Sequence, residues 1–141
     1  MVCILIHLFI DADLKVSEDQ LMIRIDLDLK EDIGLLVIDY DLDGQTGSGG
    51  ISNANKTKLK KDDVLYWDLI KDNYDDIQNS FDLTISFRIV TEYFDPNYEN
   101  IYPEEFVIPV DEISFTAEWG NIYEIKLTGS SSAGYEAVPV S

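Results

Sequence analysis

The sequence predicts an all-β fold, an antiparallel β-sandwich of about seven strands with at most one short helix. A closed barrel is the alternative, because strand counting does not show whether a sheet closes. Three observations predict the all-β class. Apolar and polar residues alternate with period two over several short stretches. β-branched and aromatic residues fill those stretches, and turn-forming residues separate them. The length, 141 residues, suits one domain that buries roughly 68–70% of its extended surface without a metal or disulfide.

Taken in order, the elements read as follows. Val2–Ile10 is an apolar run too short to span a bilayer. It has no basic n-region, and Asp11 and Asp13 follow it without a small-residue cleavage site, so no signal peptide is visible and a buried strand is expected. Leu21, Ile23, Ile25, Leu27 and Leu29 share one face of a half-buried strand, against Met22, Arg24, Asp26 and Asp28. Ile33–Leu42 repeats the pattern. Gly44–Gly50, with four glycines, reads as a turn or mobile loop. Asp62–Lys71 spaces Val64, Trp67 and Ile70 by three behind an Asp suited to a helix start, which predicts a short helix with a strand competing. Strands are expected at Asp82–Glu92, Tyr102–Val110, Glu112–Glu118 and Asn121–Thr128. Gly129–Gly134 holds only Gly, Ser and Ala and reads as a flexible linker. The expected organisation is one sandwich domain over 1–128 and a linker with C-terminal tail over 129–141. The apolar end of that tail, Tyr135–Val140, is expected to leave its domain and add to an exposed edge of a neighbouring subunit, with a disordered end as the alternative.

Composition narrows function. The 28 acidic and 10 basic residues give a formal net charge of −18. That excludes a classical nucleic-acid binder, because each phosphate contact needs a cation, and it disfavours an anionic membrane surface. Catalytic inventory is thin. The single His7 and single Cys3 stand four positions apart, about 13 Å along a strand, too far to hydrogen-bond. The lone Cys3 also excludes an internal disulfide and multi-cysteine metal sites. No phosphate loop, dinucleotide fingerprint or zinc spacing is present, and the expectation is a protein that is not an enzyme.

The most specific local motif is Asp39-Tyr40-Asp41-Leu42-Asp43-Gly44-Gln45. Alternate carboxylates before a glycine resemble the D-x-D-x-D-G core of calcium loops, where hard oxygen ligands converge and glycine permits the sharp turn. Gly50 stands where an EF-hand places its bidentate Glu, and a strand precedes the motif, so an EF-hand is rejected. Asp39, Asp41, Asp43 and Gln45 remain the candidate calcium ligands; no other cofactor is implied. The competing reading is a solvated strand end, since Asp26 and Asp28 alternate in the same way with no loop. Asp75-Asp76-Ile77-Gln78-Asn79-Ser80 is similar to the calcium signature of βγ-crystallins, but Asn79 breaks it. Lys56, Lys58, Lys60 and Lys61 form a basic stretch that reads as a soluble loop. Tyr93, Phe94, Tyr98 and Tyr102, set among Asp, Asn, Glu and Pro, are candidate contact residues, because tyrosine offers area and hydrogen bonds at low entropy cost. Tyr135, Val138 and Val140 join them through the tail.

Ile113–Thr128, with Trp119-Gly120 ahead of an alternating Tyr-containing strand, resembles the closing hairpin of fimbrillin-like proteins, pilus and surface subunits of Bacteroidetes. The resemblance spans 16 of 141 residues, and the family's lipobox and second sandwich domain are not visible. It implies a surface β-sandwich that polymerises by strand exchange, and it supplies no catalytic residue.

These readings converge on a non-enzymatic structural or interaction module, such as a self-assembling surface filament or virion subunit. Its expected partners are other copies of itself or another protein, with no nucleic acid and no membrane insertion. An extracellular, cell-surface or virion-surface location is favoured. The rival is an acidic decoy or inhibitor, a DNA mimic or toxin antidote, that attracts a basic partner through its charge. A mimic should gather its carboxylates on one face; a structural module should scatter them.

Overall fold

The computed structural model describes residues 16–55, 57–93 and 103–140. The strand expected at Val2–Ile10, with Cys3 and His7, falls outside the described residues, as do Lys56, Phe94, Tyr98 and Tyr102. Nine strands are formed among the described residues: β1 (Gln20–Leu29), β2 (Leu35–Leu42), β3 (Gln45–Ile51), β4 (Val64–Ile70), β5 (Ser80–Val90), β6 (Val107–Pro109), β7 (Ile113–Glu118), β8 (Ile122–Ser130) and β9 (Gly134–Val140). They make a four-stranded sheet, β4-β1-β8-β9, and a five-stranded sheet, β3-β2-β5-β6, with β7 also on β5. Among the described residues both sheets keep open edges, and the arrangement is a β-sandwich, not a closed barrel. Among the described strands every pairing is antiparallel except β1 with β8.

The period-two patterns place the core between the sheets. Leu21, Ile23, Ile25, Leu27 and Leu29 of β1 are buried, and so are Leu36, Ile38 and Leu42 of β2 and Phe81, Leu83, Ile85, Phe87 and Ile89 of β5. They form one apolar cluster with Leu65, Leu69, Ile125 and Leu127. β6 and β7 run along the same edge of β5. From Pro109 to Ile113 the chain advances four residues while β5 passes only from Arg88 to Ile85. The extra residue is a β-bulge, which moves the core-facing positions from Ile108 to Ile113, Phe115 and Ala117. Ahead of β6, Glu104–Phe106 is a short 3-10 turn, so the strand expected from Tyr102 begins only at Val107.

Four expectations need correction. The helix expected over Asp62–Lys71 is instead β4, paired with β1 from Gln20–Ile70 to Asp26–Val64. Its three-residue spacing was coincidental: Leu65, Trp67 and Leu69 alternate toward the core, and the partner strand supplies the hydrogen bonds. Only Lys71–Asn73 turns into a short 3-10 helix. The Gly44–Gly50 loop is the edge strand β3. The linker and free tail over 129–141 are a hairpin, with Gly134–Val140 on β8 of the same chain. Ser130 lies opposite Gly134, whose φ of 92° suits a three-residue hairpin loop. Finally, Ile113–Thr128 is not a hairpin. β7 belongs to the five-stranded sheet and β8 to the other, so Trp119-Gly120 is the arch between them.

Candidate interaction surface

Asp43 and Gly44 explain how β3 comes to lie beside β2. They are the two central residues of the turn, with φ of 52° and 93°, and Leu42 faces Gln45 across it. Positive φ at both positions is the type I′ signature, whose twist matches paired strands and for which Asp-Gly is a preferred pair. Within β3, the core-facing positions opposite Tyr40 and Ile38 are Gly47 and Gly49. The Tyr40 ring lies directly over Gly47, and Trp67 Nε1 is 3.2 Å from where a Cβ on Gly49 would stand. The glycines are therefore sites of aromatic overlap, and the strand borrows its inner side chains from its neighbours.

Those rings begin a row along one side of the core. Trp67 and Tyr40 have centroids 5.2 Å apart, Tyr40 and Tyr74 6.2 Å, Tyr74 and Trp119 6.2 Å, and Trp119 and Phe81 4.9 Å. The Tyr74 hydroxyl donates to the Tyr40 hydroxyl at 2.8 Å. Burial first, then the Tyr40 contact, raises the Tyr74 hydroxyl well above its ordinary pKa. Trp119 Nε1 donates to the Gln78 carbonyl at 3.2 Å, which gives the 75–80 stretch a structural task.

Three of the four candidate calcium ligands, Asp39, Asp41 and Gln45, have hydrogen-bond partners of their own. Asp39 on the outer face of β2 accepts two bonds from Arg88, from Nε at 2.8 Å and from Nη2 at 3.1 Å, and one from the Ser48 hydroxyl at 2.7 Å. Burial raises the Asp39 carboxyl pKa, but the Arg88 and Ser48 hydrogen bonds outweigh it and hold the group below its ordinary value. Asp41 accepts the Gly44 amide at 2.7 Å, Asp43 forms the turn, and Gln45 exchanges two bonds with the Asp75 backbone. Among the described residues no group of three His, Cys, Asp or Glu gathers as a metal holder.

Around the Asp39–Arg88 pair, the outer face of the five-stranded sheet carries two shallow grooves. One of about 390 Å³ is lined by Leu35, Val37, Ser48, Arg88 and Tyr93 among others. The second, of about 470 Å³, includes Asp41, Thr46, Thr84, Ser86 and Glu112. Tyr93 packs with Phe106 and Val107 on a small outer cluster of Leu35, Val37 and Val90. The Thr91 amide donates to the Phe106 carbonyl at 2.9 Å beside that cluster.

On the other sheet, Arg24 is buried at 2% exposure, with Nε 2.9 Å from Asp26 and 3.9 Å from Glu124. Each sheet thus holds an arginine on its outer face against its own carboxylates. Sequence reasoning missed Arg88 and Ser48; the period-two spacing from Arg88 to Ser86 and Thr84 was the available signal. The basic stretch is tied down as well, by Lys58–Glu92 at 2.7 Å and Lys60–Asp32 at 3.7 Å. In the tail strand, Tyr135 packs on the core. Burial first, then the charge of Glu31 pushes its hydroxyl up to about 12. Glu31 accepts the Ser131 amide, which with the other bonds from Ser131 and Tyr135 lowers its own carboxyl. Val138 and Val140 are 41% and 42% exposed, on the outer face of β9.

The chain matches no protein-family model and no curated protein. Among solved structures it is similar to a non-hemolytic pneumolysin from Streptococcus pneumoniae, at 10% identity over 86% of this chain and 23% of that one, with a TM-score of 0.42. Listeriolysin O gives 8% identity, 86% and 22% coverage and a TM-score of 0.42. The membrane-binding domain of pneumolysin gives 10% identity, 86% and 96% coverage and a TM-score of 0.40. The chain spans 23% and 22% of the two whole toxins.

Proposed function

We propose that this protein is a non-catalytic β-sandwich that works by association with other copies of itself or with another protein. The observation that carries the reading is the set of open sheet edges. β3 has a neighbour on one side only among the described residues; β9 is an edge too, and although Pro139 interrupts its backbone it leaves Val138 and Val140 exposed on its outer face. Unpaired backbone groups along an edge are a template for another chain.

The acidic decoy is the second reading, and the distribution of charge weighs against it. Carboxylates stand on the outer face of one sheet at Asp26, Asp28, Asp68 and Glu136, and on that of the other at Asp39, Asp41, Asp82 and Glu118. That scatter supports a structural module over a phosphate mimic. Light scattering of the purified chain over a concentration series tests association. Growth in mass with concentration is expected; a monomer throughout, joined by tight binding to a cationic protein, would favour the decoy.

A further inference from the structure

We propose that two copies of this chain associate through their β3 strands, paired antiparallel edge to edge. The proposal deepens the association reading above and rests on it. In a two-residue hairpin the closing pair, here Leu42 and Gln45, exchanges both hydrogen bonds, and bonded pairs then recur at every second residue. Tyr40–Gly47, Ile38–Gly49 and Leu36–Ile51 follow in the register. Thr46, Ser48 and Gly50 lie between them, so their amides and carbonyls point away from β2 to the edge that no described strand covers.

The other edges are defended. β9 carries Pro139, the β6–β7 edge carries Pro109 and a bulge, and β4 carries Asp68. Proline, charge and bulges are the means by which edges avoid pairing. β3 has none of them. Gln45 to Asn55 is also the longest stretch without Asp, Glu, Lys or Arg among the described residues, eleven in a row.

That neutrality selects a second copy as the occupant. Two molecules of net charge −18 repel wherever carboxylate meets carboxylate. Across β3 the facing rows hold only Thr, Ser, Gly, Gln and Ile. The nearest acidic row, on β2, lies one strand back, about 4.8 Å, and its Asp39 is already held by Arg88. With Ser48 opposite Ser48 of the second copy, Thr46 faces Gly50, and each facing pair exchanges two backbone bonds. Two five-stranded sheets become one continuous sheet.

Sedimentation velocity on the full chain tests this at about 0.01 M and about 1 M salt, where the screening length falls from ~30 Å to ~3 Å. A dimer that tightens about tenfold or more at high salt is expected. Ser48→Pro removes an outward amide without touching the β2 ladder, and it should leave a monomer. Ser48→Ala loses only the hydroxyl bonded to Asp39, and it should still dimerise. Should Ser48→Pro fail to fold, Thr46→Asp places a charge on the strand and should weaken the dimer likewise. A dimer unchanged in both Ser48→Pro and Thr46→Asp would overturn the β3 interface and leave self-association standing. A wild type monomeric at both salts would overturn both. A monomer whose Thr46, Ser48 and Gly50 amides are nevertheless protected from exchange would give the edge to another segment of the same chain, and would overturn the dimer.

Discussion

Gly47→Ala puts the account of the glycine-rich strand under direct strain. A Cβ at Gly47 would stand 2.7 Å from Tyr40 Cε1, and closer still to Cζ and the hydroxyl. Carbon atoms in contact prefer about 3.5–4.0 Å, so the ring must move by about 1 Å. It is not free to move. The Tyr74 hydroxyl donates to it at 2.8 Å, and Trp67 packs with its centroid 5.2 Å away. Forcing a packed ring aside costs about 1–3 kcal/mol, and loosening the Tyr40–Tyr74 bond adds up to about 1 kcal/mol. Alanine in place of glycine returns about 0.4–1 kcal/mol through the unfolded chain. At the middle of these ranges the net loss is about 2 kcal/mol, which at about 3 °C per kcal/mol for a chain of this size lowers Tm by about 6 °C. Thermal melts followed by circular dichroism read it. Gly50→Ala is the control, because its Cβ meets only ordinary contacts, with Leu35 Cδ1 at 3.4 Å the nearest, and its melt should stay within about 0.5 kcal/mol of the wild type. Adding Tyr40→Leu should make the Gly47→Ala cost shrink, as coupled neighbours do. A Gly47→Ala protein as stable as Gly50→Ala would refute the overlap and return the segment to a mobile loop.

Other outcomes follow from the same contacts. Asp39→Asn should cost under about 1 kcal/mol at pH 7, since the side chains of Asp39 and Arg88 are 35% and 39% exposed. The Asp39 carboxyl is lowered in the fold, so its contribution is present above the unfolded value of about 3.9 and is lost as pH falls through the folded value. The gap between wild-type and variant melts should close in acid; a gap that widens there contradicts the sign. Deleting residues 130–141 should lower Tm outright, because β8 loses its β9 partner and the core loses Tyr135 and Ala137. An unchanged melt would restore the free tail. Melts in calcium and in chelator should coincide, since Asp39 is occupied by Arg88 and Asp41 by the Gly44 amide. A gap of several degrees that Asp41→Ala removes would instead establish a calcium site.

Where one strand carries its own signal, the sequence reveals it. Leu21 to Leu29 and the buried alternation of Asp82–Glu92 correspond to β1 and β5, because each has one face on the core and period two follows from that. The misreadings share a cause, which is that the information lies in another strand. Gly47 and Gly49 have no side chains to alternate; Tyr40 and Trp67 cover them. Val64, Trp67 and Ile70 mimic a helical row until β1 supplies the ladder. The Asp39-x-Asp41-x-Asp43-Gly44 motif stands apart from these: the calcium melts decide its calcium reading, while in the fold it ends β2 and forms the turn into β3. Flanked by alternating apolar residues, its Asp43-Gly44 was also the strongest short-range hairpin signal in the chain. The Asp39–Arg88 pair joins positions 49 residues apart, and no local pattern announces it.

The uncharged, glycine-rich stretch is an ordered edge strand whose outer side, which no described strand covers, takes another chain. Residue-resolved amide exchange at low and high protein concentration tests it most directly. At low concentration Gly47, Gly49 and Ile51 should be protected by β2 while Thr46, Ser48 and Gly50 exchange quickly; at high concentration those three should slow. Fast exchange at all six amides at every concentration would contradict the strand, and alternation that never changes with concentration would contradict its use for association.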